Sequence, residues 1–244
     1  MSTVVQNCPL LLVADAHVSP DTATEQEFRE LLAWVATTHY DIVFLGDVLE
    51  LWIGLKRYST SSAVEFLEWC ACEKNRRRVF FLEGNHEFFV VRHHRDCFTV
   101  ADADELSLGQ MVLAHGDTAQ GDHAHLRFRW WSKSCLAHFL LQWMPGAPAI
   151  VRRIKRNFER KSAMRDHRYP QEAVESWGIG CFARHPQAQR IILGHFHCQK
   201  EHRLPDGRQI TVLPAWKDSG LIGVLNFTDS ELTIQNWRDL AGGT

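Results

Sequence analysis

Leu10-Leu11-Leu12-Val13-Ala14-Asp15-Ala16-His17 decides the fold. Five apolar residues in a row read as a buried strand, and the run ends in a carboxylate and an imidazole two residues apart. At a strand end both side chains can turn toward one ion. Four later runs end in the same way. Ile42 to Leu45 leads into Gly46-Asp47, and Val79 to Leu82 into Gly84-Asn85-His86-Glu87. Met111 to Ala114 leads into His115-Gly116-Asp117, and Ile191 to Leu193 into Gly194-His195-Phe196-His197. Polar side chains at the carboxyl ends of buried strands converge on one rim of a sheet, where α/β proteins build their sites. The donors are carboxylate, imidazole and one carboxamide, with no thiolate. That set suits two hard or borderline divalent ions held close together, not a structural zinc.

Between these runs the periodicity changes to that of helices. Glu25 to Thr38 carries Phe28, Leu31, Leu32 and Val35 on one face, and Ala63 to Glu73 carries Ala63, Phe66, Leu67 and Cys70. Strands alternating with helices predict an α/β core. From residue 122 to 176 the chain is helix-compatible, broken at Pro145-Gly146 and Pro170, with no apolar run ending in metal-type residues. The strand pattern returns at Arg190 and recurs over Gln209 to Leu213, Leu221 to Phe227 and Glu231 to Trp237. The expected organisation is a core of residues 1–121 and 177–244 with a helical cap inserted at 122–176. Residues 241 to 244 are expected to fray.

Composition excludes several classes. With 45% apolar and 23% charged residues the 244-residue chain reads as one large globular domain. Its seven cysteines are scattered, with no Cys-x-x-Cys and no leader expected before Cys8, so reduced thiols and a cytoplasmic location are expected. No apolar run approaches the roughly 20 residues of a membrane span. The formal net charge of −2 hides an uneven distribution. Between Arg127 and Arg168 there are eleven Lys or Arg residues against Glu159 and Asp166, interleaved with six aromatics. A solvated basic face would give the charge alone; the aromatics favour a ligand with both anionic and apolar parts. His39, His93, His94, His123, His125 and His138 stand outside any motif and read as structural or surface residues.

Each cluster alone is weak evidence, but five in order are not. The succession Asp15-x-His17, Gly46-Asp47, Gly84-Asn85-His86-Glu87, His115 and Gly194-His195-x-His197 resembles the pattern of the calcineurin-like metallophosphoesterase family. The resemblance covers residues 10 to 200 and implies two mixed β-sheets packed face to face and flanked by helices. It implies one ion held by Asp15, His17, Asp47 and His197, and a second by Asp47, Asn85, His115 and His195. Two ions roughly 3.5–4 Å apart offset phosphate charge and supply a bridging hydroxide that attacks phosphorus. His86 is the expected catalytic side chain, stabilising the transition state or protonating the leaving group. Asp117 and Glu87 are expected to orient ligand histidines. Manganese is the expected metal, with iron and zinc as alternatives.

A narrower resemblance follows from Gly46 through Gly54, from His115-Gly116-Asp117-Thr118 with Asp122, and from the basic segments Val151-Arg152-Arg153-Ile154 and Arg156-Asn157-Phe158. These are similar to the UDP-2,3-diacylglucosamine hydrolase family of lipid A biosynthesis. The implied reaction cleaves the pyrophosphate to UMP and 2,3-diacylglucosamine 1-phosphate. The insertion would cover the metals, with Asp122, Arg129, Arg156 and Arg160 on the polar part of the substrate. Phe128 and Trp131, with Phe139 and Trp143, would line the acyl pocket. In that family an Arg usually follows the motif Asn, where this chain has His86, and Leu usually stands where it has Ala16. Two other functions therefore stay open: a phosphomonoesterase or phosphodiesterase with a soluble substrate, and a metal-binding scaffold that no longer catalyses. The expected partners are a lipid-linked or nucleotide phosphate and the inner face of the inner membrane, with no nucleic acid.

Overall fold

The computed structural model describes residues 8–121, 123–162, 169–227 and 230–242, with the backbone alone at 123 and 157–162. Among them are β1 (Leu10–Val13), β2 (Asp41–Phe44), β3 (Trp52–Ile53), β4 (Val79–Leu82), β5 (Glu87–Phe88), β6 (Val100–Asp102) and β7 (Glu105–Leu108). The later strands are β8 (Met111–Ala114), β9 (Arg190–Leu193), β10 (Lys200–Arg203), β11 (Gln209–Val212), β12 (Leu221–Leu225) and β13 (Leu232–Asn236). The helices are α1 (Ala23–Thr37), α2 (Ser61–Glu73), α3 (Val90–His94), α4 (His123–Ser132), α5 (Cys135–Trp143), α6 (Ala147–Ser162), α7 (Gln171–Arg184), α8 (Trp216–Ser219) and α9 (Trp237–Gly242).

Two mixed sheets result. The first runs β13-β12-β1-β2-β4-β6, parallel from β1 to β6 and antiparallel at β12 and β13. The second runs β10-β11-β9-β8-β7, parallel in its middle and antiparallel at both edges. Alternation along β1 explains how they meet, because successive side chains of a strand point to opposite faces. Leu10, Leu12 and Ala14 join Val43, Leu45, Phe80 and Leu82 of the first sheet and Leu113 and Ile192 of the second in one core cluster. Leu11 and Val13 join Phe28, Leu31 and Phe66 of α1 and α2 on the opposite face. The strands are buried on both sides, which is why they read as continuous apolar runs. Thr22 and Thr60 cap α1 and α2 through the backbone N–H groups of Glu25 and Ala63.

The outer face of the second sheet is covered by α7, whose Val174, Cys181 and Phe182 pack on Val112, Ile191 and Ile210. This helix starts at Gln171, inside the stretch assigned to the insertion, yet packs as part of the core. The chain end differs from expectation. Trp237 starts α9 instead of ending a strand, and the helix takes in Ala241 and Gly242 of the stretch expected to fray, whose last two residues lie outside the described residues. The buried Trp237 ring, 6.0 Å from Trp34, anchors it. No helix among the described residues is long and apolar enough to cross a membrane.

Candidate metal centre

All seven expected ligands meet at the carboxyl ends of β1, β2, β4, β8 and β9. The backbone there is unusual. Asp15, His17, Asp47, His195 and His197 all have φ between 42° and 69°, in the left-handed region. Non-glycine residues in that region cost of order 1–3 kcal/mol each and persist where surrounding structure holds them. The motif glycines explain how such bends fit together. A Cβ on Gly84 would overlap Asp47 Oδ1, and one on Gly46, where φ is +84°, would lie 2.6 Å from His115 Nδ1.

The donor atoms fall into two groups that share Asp47. His17 Nε2 and His197 Nε2 are 3.2 Å apart, and both face Asp15 Oδ1, at 4.0 and 3.7 Å. Asp47 Oδ2 lies 3.8 Å from His17 Nε2 and 3.4 Å from His115 Nε2. Asn85 Oδ1 is 3.1 Å from His115 Nε2, and His195 completes a group with Asp47 and His115. Each carboxylate spends one oxygen on the protein: Asp15 Oδ2 accepts from His195 N at 2.7 Å, and Asp47 Oδ1 from His86 N at 2.8 Å. Their other oxygens, Asp15 Oδ1 and Asp47 Oδ2, are buried and have no hydrogen-bond partner among the described residues. An orphaned buried carboxylate oxygen is costly unless something cationic meets it. The donor chemistry and these two oxygens fit a pair of divalent cations with Asp47 between them.

The electrostatics divide the donors. Burial alone would raise Asp47, but His115, His86 and His17 around it hold the carboxyl well below the usual range. Burial pushes His17 well down, toward the neutral imidazole that ligates metal. Burial also works to lower His115, but the Asp47 and Asp15 carboxylates outweigh it and raise the ring to about 10. Burial likewise pushes Asp15 up.

The surrounding partners were only partly visible in the sequence. Glu87 does not orient a histidine. It is fully buried and accepts the backbone N–H groups of Asp47, Val48 and Gly84 at 2.8, 2.7 and 2.6 Å, tying two ligand loops together. Asp117 does not hold a ligand histidine either; it faces α4, bonding Arg129 Nε at 2.7 Å and lying 3.8 Å from His125 Nε2. The histidines are oriented by other groups. His115 Nδ1 meets Leu45 O at 2.8 Å, His195 Nε2 meets Gln120 Oε1 at 2.9 Å, and His197 Nδ1 meets Asp218 Oδ2 at 3.2 Å. His17 Nδ1 faces Glu50 Oε2 at 3.6 Å, and Lys217 Nζ lies 3.5 Å from the same oxygen. His86 donates from Nδ1 to Glu50 O at 2.6 Å, which leaves Nε2 facing Asp47 Oδ2 at 3.9 Å.

Beside this centre α4, α5 and α6 enclose an apolar cavity of about 110 Å³. Its walls include Phe128, Trp131, Leu140, Met144 and Ile154 from the helices and Leu51, Ile53 and Phe88 from the core. Leu51 and Phe88 directly follow Glu50 and Glu87 of the centre. Phe139 and Trp143, expected in this pocket, instead point away from it and are 58% and 68% exposed. They belong to the opposite face of α5. The Arg129 guanidinium, expected on substrate, is committed to Asp117, Asp104 and the Ala103 carbonyl. Arg156 is exposed on α6 and reaches back to Arg152 O at 3.4 Å. The Arg160 side chain and Asp122 lie outside the described residues.

A family model described as calcineurin-like phosphoesterase matches residues 8–199. A UDP-2,3-diacylglucosamine hydrolase of Shewanella loihica is 27% identical, covering 93% of this chain and 95% of its own. One of Pseudomonas savastanoi pv. phaseolicola is 23% identical, covering 87% and 90%. Among solved structures an archaeal phosphodiesterase aligns over 93% of this chain and 98% of its own, at 11% identity and a TM-score of 0.46. Since the matched region contains every strand that ends in a ligand, the chain belongs to the calcineurin-like phosphoesterases, hydrolases of phosphate esters and anhydrides.

Proposed function

We propose that the protein hydrolyses the pyrophosphate of UDP-2,3-diacylglucosamine, or a near relative of it, to UMP and the diacylglucosamine 1-phosphate. The observation that carries this reading is the apolar cavity, lined by three inserted helices and by Leu51 and Phe88, which adjoin Glu50 and Glu87 of the candidate centre. A soluble nucleotide or sugar phosphate has no use for such a wall, whereas each acyl methylene buried there is worth about 0.8 kcal/mol. The names of the Shewanella and Pseudomonas relatives support it.

Asp15, His17, Asp47 and His197 would hold one divalent ion, and Asp47, Asn85, His115 and His195 the other. Bound there, two such ions offset phosphate charge and lower the pKa of water. The protein's own part is orientation and proton handling. Glu87 fixes the loops carrying Asp47 and Asn85 relative to each other. His86, with Nδ1 on Glu50 O, presents Nε2 to the space over Asp47 and acts on the developing charge or on the leaving oxygen. The inserted helices 123–162 exclude water and seat the acyl chains. Manganese is the metal proposed for this set of two carboxylates, one carboxamide and four imidazoles, with iron and zinc as alternatives.

A second reading has an observation of its own. His86, in place of the Arg usual in the lipid enzymes, favours a phosphodiesterase with a different leaving group. One panel tests both: purified protein with Mn²⁺ against UDP-2,3-diacylglucosamine, the same UDP-sugar without acyl chains, bis-p-nitrophenyl phosphate and cyclic nucleotides. A kcat/KM at least tenfold higher for the acylated substrate than for its acyl-free counterpart is expected. Equal values would leave the second reading.

A further inference from the structure

Lys133 lies in the joint between α4 and α5, one residue after Ser132, which lines the apolar cavity. Its ammonium does not point at solvent; the side chain is 13% exposed. Nζ bonds Glu83 Oε2 at 3.1 Å and the carbonyl oxygen of Gly84 at 3.0 Å. The Gly84 carbonyl belongs to the peptide that leads into Asn85, whose Oδ1 faces His115. The N–H of Gly84 is held from the other side by Glu87 at 2.6 Å. Glu83 itself is buried, and its other oxygen accepts the N–H of Val91 at 2.7 Å.

We infer that Lys133 is a positioning residue for the second metal site: the inserted helices supply the cation that fixes the Gly84-Asn85 peptide, so that Asn85 presents its carboxamide oxygen. Two features carry the inference. The ammonium is shared between a carboxylate and a backbone carbonyl of the ligand loop, so it does more than offset a buried charge. It also comes from the element that forms the cavity, so the loop that holds Asn85 is completed by the insertion. Removing an outer partner of a metal ligand typically costs 10–100-fold in metal affinity.

The competing explanation is that Lys133 only neutralises the buried Glu83. A double-mutant cycle separates the two. Mn²⁺ binding to the full chain is measured by equilibrium dialysis and calorimetry, alongside kcat and KM on bis-p-nitrophenyl phosphate, which needs no cavity. Lys133→Met should weaken the second Mn²⁺ by 10–100-fold and leave the first unchanged, with kcat recovering at excess Mn²⁺ and KM little altered. Lys133→Arg, which keeps a donor, should recover most of the affinity. Glu83→Gln with Lys133→Met should stay weakened, because the Gly84 carbonyl still lacks its donor. Wild-type affinity in that double variant, or two ions bound normally by Lys133→Met, would overturn the inference. Melting of each variant without metal checks that it is folded. The inference rests on the dimetal reading, whose own failure looks different: wild-type protein would bind fewer than two ions.

Discussion

At the scale of single residues, Asp47 is the point on which both donor groups depend. Its Oδ2 faces histidines of both, while Oδ1 fixes the His86 backbone. Asp47→Asn should therefore lower bound Mn²⁺ from two ions toward none and turnover by several orders of magnitude; plasma-emission metal analysis that still finds two would refute the bridging role. His86 makes the opposite prediction. With its ring held by Glu50 O and 3.9 Å from Asp47 Oδ2, His86→Ala should keep both ions and lose roughly 10²–10⁴ in kcat, the usual worth of a positioned proton-transfer group. Loss of an ion from that variant would make His86 a ligand. The residues that the structure gathers into the two donor groups were legible in the sequence because each lies just past the end of a strand, and strand ends are local. Glu50, Gln120, Asp218 and His125 were not, because they reach the centre from a loop, a short turn, α8 and α4. Only the packing of distant segments brings them there. Trp216 shows how: its buried ring packs 5.5 Å from Phe28, and its backbone N–H donates to Ala14 O at 2.8 Å, so the next two residues arrive beside Glu50 and His197.

At the scale of elements, α5 has two apolar faces. Ala137, Leu140 and Leu141 face the cavity, while Leu136, Phe139 and Trp143 form an exposed stripe. Sequence periodicity could not assign these faces, since seven of the nine residues are apolar and only His138 and Gln142 interrupt them. That is why Phe139 and Trp143 were read into the pocket with Phe128 and Trp131. The short strands were hidden for a related reason. β3 and β5 have two residues each, too few for any alternation to register, and the edge strand β10 is Lys200-Glu201-His202-Arg203. The face assignment yields a test. Leu140→Asn places a polar group on the cavity wall and should raise KM for an acylated substrate about tenfold or more. Its kinetics on bis-p-nitrophenyl phosphate should stay within twofold of wild type. An equal loss on both substrates would mean that the cavity supports the fold and takes no part in binding.

At the scale of the whole molecule, the exposed side of the inserted helices bears on how the proposed lipid substrate would be reached. Trp130, Leu136, Phe139 and Trp143 are 58–78% exposed, an uncommon concentration of large apolar side chains on a soluble surface. Arg152, Arg153 and Arg156 are exposed on the neighbouring α6, although the chain as a whole is formally −2. Basic residues near an anionic bilayer contribute about 1 kcal/mol each and are screened by salt, whereas the apolar contribution is not. If the lipid reading holds, the two contributions can be separated. Wild-type protein should co-sediment with phosphatidylglycerol-containing vesicles and much less with phosphatidylcholine alone, and 0.5 M NaCl should weaken that binding several-fold without abolishing it. Phe139→Ser with Trp143→Ser should remove the salt-resistant part. Because both side chains point away from the cavity, that variant should keep wild-type kinetics on substrate dispersed in detergent and lose rate only on substrate presented in vesicles. A proportionate loss in both formats would return these two residues to the substrate pocket and remove the case for a membrane-facing surface.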